Sequence, residues 1–221
     1  MTSAISKSLS GALWTASVAL AINACALTSK AEVVDVRYFN PERMNPRINR
    51  ATLAATPQTT IPTLQLRLGR VSSGPSLRER IAYRNSAYEQ GYYEDLRWTE
   101  RPEIYVRREL GRSLFETRAL RRVLTGAAPT LDVELIAFDE VRLRASRVAR
   151  VQLKLILYED DSVLFEDTLT IDRPVAGEKP TIEDVVAAMA MALDAASEQV
   201  ATRVQQSLLA KRLSLSSNSV P

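Results

Sequence analysis

Apolar and polar residues alternate in this chain in short bursts whose period lengthens twice. Leu64, Leu66 and Leu68 alternate with Gln65 and Arg67, the two-residue repeat of a strand with one buried and one wet face. The same repeat returns in Leu131 to Asp139, and Val151, Leu153, Leu155 and Leu157 alternate with Arg150, Gln152 and Lys154. A further strand, Val163 to Asp172, follows the polar turn Glu159-Asp160-Asp161-Ser162. Such short connections predict antiparallel neighbours, because parallel pairing needs a longer crossover. Val33 to Phe39 is rich in strand formers, and Ile81-Ala82-Tyr83-Arg84 predicts one more short strand.

Two stretches switch to the helical period. Val106, Leu110 and Leu114 step by four behind Pro102, and Gly126 and Pro129 supply stop signals, so a first helix is expected over Pro102 to Val123. Its other face carries Arg107, Arg108, Arg112, Arg118, Arg121 and Arg122. The second helix opens at Pro180 with Thr181 as N-cap and Glu183 and Asp184 at the positive end. Val186, Met189, Leu193, Ala196, Val200 and Val204 form its apolar stripe. The expected fold is α+β in two layers: a mixed, largely antiparallel sheet with two main helices packed on one face. One domain, 33–213, holds all of it. Within it, 40–62 carries Pro41, Pro46, Pro57 and Pro62 without periodicity, the pattern of a mobile loop, and 214–221 is a polar, disordered tail.

Between these elements stands the corner Arg97-Trp98-Thr99-Glu100-Arg101-Pro102, preceded by Tyr92-Tyr93. A tryptophan just before a helix start is placed to cover it, with its apolar body buried and its N–H needing a partner. Leading readings here are structural: a strand–turn–helix corner of the core.

Composition removes several kinds of chemistry. The 221 residues include no histidine and one cysteine. Zinc sites built on His or Cys clusters, Ser-His-Asp triads and Cys-His pairs are therefore excluded, and no disulfide can close within the chain. Gly69 and Gly74 have the spacing of a phosphate-binding loop, but Pro75 stands where the lysine is required. Proline also removes an N–H that the cradle would use, so nucleotide binding is rejected. The adjacent carboxylates Asp160 and Asp161 read as solvated turn residues, not as a metal site. Catalytic and metal-binding residues are thus not expected, nor is a cofactor. Lys and Arg together number 29 against 26 Asp and Glu, too balanced for a nucleic-acid binder. Arginine supplies nearly all the positive charge, and it favours carboxylates and phosphates. Arg142, Arg144, Arg147 and Arg150 rim one turn, which suits lipid head groups and equally a set of solvated strand ends; Arg108, Arg112, Arg142 and Arg144 are the candidates for partner or head-group contact.

The N-terminal residues 1–24 have the pattern of a signal peptide: Lys7, an apolar run from Leu9 to Ile22, then small residues. That run is shorter than the roughly 20 residues needed to span a bilayer. It ends in Ile22-Asn23-Ala24-Cys25, which looks like a bacterial lipobox with the chain's single cysteine as acceptor. Lipid on Cys25 would anchor the mature protein, since each buried methylene contributes about 0.8 kcal/mol. Ala26 in place of Asp favours the outer membrane. The tether 25–32 spans roughly 25 Å at most when extended.

Taken in order, the lipobox, Leu-Arg-Leu-Gly-Arg-Val at 66–71, Ile-Ala-Tyr-Arg at 81–84, the Arg-Trp-Thr-Glu-Arg-Pro corner, Val-Glu-Leu-Ile-Ala-Phe-Asp at 133–139 and the alanine-rich last helix resemble one family. They are similar to the ABC-type transport auxiliary lipoproteins, the PqiC-like family. Its motif is Arg-Trp-Ala-Glu-Pro-Leu; here Thr99 replaces alanine and the proline comes one place later, at Pro102. Arg97, Trp98 and Glu100 carry the signature over, as structural residues. The resemblance implies a non-enzymatic lipoprotein on the periplasmic side of the outer membrane. Its partners would be an MCE-domain protein with its ABC permease and ATPase, which move phospholipids or other hydrophobic molecules between membranes, and, in a homo-oligomer, further copies of itself. The alternative is a lipid-binding or structural envelope lipoprotein of another outer-membrane assembly machine.

Overall fold

Everything in the structure, a computed structural model that describes residues 35–42, 64–118, 120–144 and 146–217, is built outward from one long strand. The unit beginning at Val36 carries all the elements among the described residues. They are β1 (Arg37–Phe39), β2 (Gln65–Ser73), β3 (Arg80–Arg84), β4 (Gln90–Trp98), α1 (Pro102–Gly111), a π-helical segment (Arg112–Thr117), β5 (Arg121–Arg122), β6 (Thr130–Arg142), β7 (Arg147–Glu159), β8 (Ser162–Pro174) and α2 (Ile182–Ser217).

The central strand is β6. One of its edges pairs antiparallel with β7, and β7 pairs antiparallel with β8. Its other edge is shared end to end by two strands, both parallel to it. β2 lies along the first half, Arg67 opposite Thr130, and β3 along the second, Arg84 opposite Val141. β4 continues the sheet antiparallel to β3, β1 pairs with β4 in parallel, and β5 with β2. The sheet is therefore mixed and mostly antiparallel, with the α+β architecture that the periodicity predicts.

Both helices pack on one face. α1 lies over β2 and β6, α2 over β7 and β8, and the helices touch each other. Buried Leu110 and Leu114 meet a layer that includes Leu131, Leu135, Leu153, Leu155 and Leu157. Along α2 the small residues Ala188, Ala192 and Ala196 are buried beside Val185, Met189, Leu193, Val200 and Val204. A stripe of alanines lets the helix approach the sheet closely. The bare face of the sheet is polar, with Arg150 paired to Asp172 at 2.7 Å and Lys154 to Glu166 at 2.9 Å across β7 and β8.

The start of α2 is a reciprocal capping box. The Thr181 hydroxyl accepts from the Asp184 N–H at 3.4 Å, and the Asp184 carboxylate accepts from the Thr181 N–H at 2.8 Å. The Thr181 N–H and hydroxyl, both donating to that carboxylate, hold it below its ordinary pKa. The helix runs on to Ser217, so the first four residues of the expected disordered tail are helical.

The first helix departs from expectation. It does not reach Val123: after Gly111 its turn widens, with the Arg118 N–H bonding the Ser113 carbonyl at 3.0 Å, and the helix stops at Thr117. Arg121 and Arg122 then form β5, not the end of a helix face. The cause is the free edge of β2. The N–H groups of Arg121 and Val123 donate to the carbonyls of Leu64 and Leu66 at 2.9 and 3.0 Å, which satisfies polar backbone that a longer helix would leave unpaired.

The signal peptide, Cys25, the tether 25–32 and nearly all of the expected loop 40–62 lie outside the described residues. Pro41 and Glu42, at the start of that loop, are described: Pro41 is buried, and Glu42 pairs with Arg108 at 2.7 Å.

Candidate functional site

The corner predicted from the sequence is a fixed joint. Trp98 ends β4, is 1 % exposed, and meets Phe138 and Tyr105 edge-on at 5.3 and 6.4 Å between ring centroids. Tyr105, one turn into α1, holds the two residues that follow. Its hydroxyl accepts from the Glu100 N–H at 2.8 Å and shares a 2.7 Å bond with the Thr99 hydroxyl. Burial raises the Tyr105 pKa although those bonds oppose the shift. Arg97 caps carbonyls of its own strand, Tyr93 at 3.2 Å and Leu96 at 2.9 Å. Glu100 pairs with Arg108. All three signature residues are thus engaged within the fold. One expectation fails: the Trp98 indole N–H has no hydrogen-bond partner among the described residues. Its ring sits between two aromatic rings and offers its polar edge no acceptor.

Below this corner, α1, the π-helical segment, β2 and β5 enclose an open groove of about 470 Å³. Arg108 and Arg112 line it, as their helical positions suggest, together with Arg67, Arg107 and Arg122, which the sequence did not single out as contacts. Arg107 reaches across to the Gly69 carbonyl at 2.8 Å. Arg122 lies over the Phe115 ring at 4.3 Å and within 3.1 Å of where a side chain on Gly111 would begin. That glycine lets a guanidinium lie against the helix. Glu116 is the one carboxylate in the lining. Arg108 also pairs with Glu42, and Arg112 with Glu109 and, at 3.4 Å, Asp194 of α2. Burial pushes the Glu109 carboxyl up even so. The signal for Arg67 was present as strand alternation, whereas Arg122 read as part of a helix face, and only the pairing of β5 with β2 brings the two together beside α1.

The opposite end of β6 carries the second arginine cluster. Glu140 is fully buried and accepts from Tyr93 at 2.7 Å, from Arg142 at 2.8 Å and from Arg147 at 3.3 Å. Arg142 also lies over the rings of Tyr83 and Tyr93, at 3.7 and 5.0 Å. Burial and then Glu140 push the Tyr93 hydroxyl up. On the bare face, buried Asp139 accepts from Arg84 at 2.5 Å while its other oxygen has no partner among the described residues. Burial raises its carboxyl, with Arg84 opposing. Of the two predicted head-group residues, Arg142 is therefore committed to the fold. Arg144 is exposed and has no ion pair among the described residues. The structure separates the two predicted pairs: Arg108 and Arg112 lie toward one end of β6, Arg142 and Arg144 at the other.

Among the described residues no cluster of acidic, cysteine or histidine side chains could hold a metal ion, and no helix is long and apolar enough to cross a membrane.

Comparison with known proteins agrees with the architecture. The model of the ABC-type transport auxiliary lipoprotein component family matches residues 48–201. The crystal structure of protein XCC0632 from Xanthomonas campestris, a DUF330 protein, superposes with a TM-score of 0.64 at 18 % identity, covering 80 % of this chain and 99 % of that one. A second crystal structure, of an uncharacterised protein, superposes with a TM-score of 0.55 at 15 % identity, covering 65 % of this chain and 94 % of that one. At such identities the likeness is one of fold. No curated protein matches the chain. The family match spans both the Arg97-Trp98-Glu100 corner and most of the last helix, and by it the chain belongs to the ABC-type transport auxiliary lipoproteins.

Proposed function

We propose that this protein is the lipid-anchored periplasmic accessory component of an MCE-type ABC transport system that moves phospholipids or other hydrophobic molecules between the inner and outer membranes. The carrying observation is the family match over 48–201. The sequence Ile22-Asn23-Ala24-Cys25 supports acyl chains on Cys25, and Ala26 supports retention at the outer membrane, facing the periplasm. The protein acts as a non-catalytic adaptor, without a cofactor other than that covalent lipid. Its arginine groove is the docking surface for the MCE-domain partner, because guanidiniums over backbone and ring faces are ready to take partner carboxylates.

A second reading, that the domain holds a lipid itself, finds less support. The layer between helices and sheet is filled by leucine, valine and alanine side chains, and the two roomiest cavities described are open and each lined by several cations. Two measurements test the proposal. Radioactive palmitate labels the wild-type chain and not Cys25→Ser; retained label in that variant would remove the anchor. The MCE protein co-purifies with the wild type and is lost on Arg107→Glu with Arg122→Glu; undiminished recovery would remove the groove as the docking surface.

A further inference from the structure

We propose that the hairpin end of the domain, where β6 turns into β7, is its membrane-facing surface, with Leu143 and Tyr88 seated in the head-group layer of an anionic phospholipid bilayer and Arg144 and Lys179 on its phosphates. The inference rests on the lipid anchor proposed above and adds what an anchor leaves open, the orientation of the domain.

Leu143 is 56 % exposed just after β6, and Tyr88 is fully exposed in the β3–β4 turn. The two turns share one end of the sheet because β3 runs parallel to the last residues of β6, Arg84 opposite Val141. Beside them the connection from β8 to α2 completes an open basin of about 550 Å³, whose lining includes Leu143, Arg144, Arg147, Glu178 and Lys179. Arg144 and Lys179 are exposed and carry no ion pair among the described residues. Most nearby carboxylates are already engaged. Glu140 holds Tyr93, Arg142 and Arg147, Glu183 holds Arg37, Asp184 holds Thr181, and Glu89 accepts from Asn85. Glu178 is the exception. An exposed leucine and tyrosine flanked by cations is the chemistry of an interfacial contact.

Composition does not by itself choose this end. The groove end also exposes an apolar residue, Leu124, among arginines. The place and direction in which the tether enters the domain favour the hairpin end. Arg37 pairs with Glu183 at 2.6 Å in the first turn of α2, beside the hairpin-end basin. From Cys25 to Arg37 the chain can span about 40 Å at full stretch. The 13 residues of β6 cover about 43 Å. Through β4 and β3 the register sets Arg37 near the level of Ala137 and Phe138, about 25 Å from the groove end and about 15 Å from the hairpin end, and β1, antiparallel to β6, is entered from the hairpin side. Two apolar side chains and two cations bind a bilayer weakly, but tethering raises their effective concentration enough to fix an orientation.

The test uses the lipidated full chain. A thioether at Cys25 leaves an introduced cysteine as the only free thiol, so Leu143→Cys and Leu124→Cys can each be labelled with an environment-sensitive fluorophore. Each protein is floated on vesicles of phosphatidylethanolamine and phosphatidylglycerol containing nitroxide lipids. We expect the label at 143 to be quenched about twofold or more relative to the label at 124. Adding Arg144→Glu with Lys179→Glu, or replacing phosphatidylglycerol by phosphatidylcholine, should reduce quenching at 143. If the protein floats and 143 is quenched no more than 124, the orientation is wrong and the anchor stands. Quenching indifferent to both charge changes overturns the phosphate contacts. A protein that does not float overturns the anchor and this inference with it.

Discussion

The two ends of β6 hold similar numbers of arginines in opposite circumstances. At the hairpin end Arg142 and Arg147 close on Glu140, which is fully buried, and two tyrosine rings complete the cage. At the groove end the side chain of Arg108 is 50 % exposed, and its partners Glu42 and Glu100 are themselves partly in water. A buried carboxylate must be fully paired or it costs several kcal/mol, whereas an exposed pair is screened and contributes little. Arg142 and Arg147 are therefore structural, whereas Arg108 can exchange an internal partner for an external one at small cost. What differs is the carboxylate, not the arginine.

This contrast can be tested from both sides. Glu140→Ala strands Arg142, Arg147 and the Tyr93 hydroxyl together, and should destabilise the fold by about 3–5 kcal/mol; urea unfolding measures it, and a loss of under about 1 kcal/mol would mean the cage is not a structural element. Next in size is Gly69→Ala, which drives a methyl into the Asp132 carboxylate and the Thr130 methyl where β2 crosses β6. Overpacking of that kind costs about 1–3 kcal/mol, and because the Gly69 carbonyl also receives Arg107, the variant should weaken partner binding as well. Thr181→Ala opens the capping box of α2 and should cost about 1 kcal/mol, read as a fall in Tm. Arg108→Ala should lie within about 0.2–1 kcal/mol and shrink further in high salt; a loss as large as that of Glu140→Ala would abolish the distinction between the ends.

Asp139 supplies a test by pH. Its folded pKa is raised by burial, so between the ordinary carboxylate range and that raised value the folded state holds more proton than the unfolded one. Stability from this group is then greatest at low pH and falls as pH rises through the folded pKa. Asp139→Asn should flatten that slope in thermal melts taken from pH 4 upward, and an unchanged slope would exclude Asp139 as its source.

What could be read from the chain alone follows from periodicity and local chemistry. Alternation located β2, β6, β7 and β8, because a strand with one buried face writes its repeat directly into the sequence. The Thr181 cap and the start of α1 at Pro102 were legible for the same local reason. The stripe of α2 was legible to within one residue: Val185, not Val186, is the buried valine. Trp98 declared itself by size, while Tyr105, which holds the corner, did not, since nothing in its neighbours marks a hydroxyl that will bond backwards to Thr99 and Glu100.

Other features are properties of the folded chain. The periodicity of residues 112–123 suits a helix, and only the unpaired edge of β2 turns its last part into β5. Parallel pairing of β2 and β3 along one side of β6 has no sequence signature, because the pleat repeat is the same in either direction. Least legible was which arginines are engaged. Arg142 and Arg144 stand two apart with identical chemistry, yet one is caged over Glu140 and two rings and the other is exposed. Charge is written in the sequence, but the partner that neutralises it is chosen by distance, and distance exists only once the chain has folded.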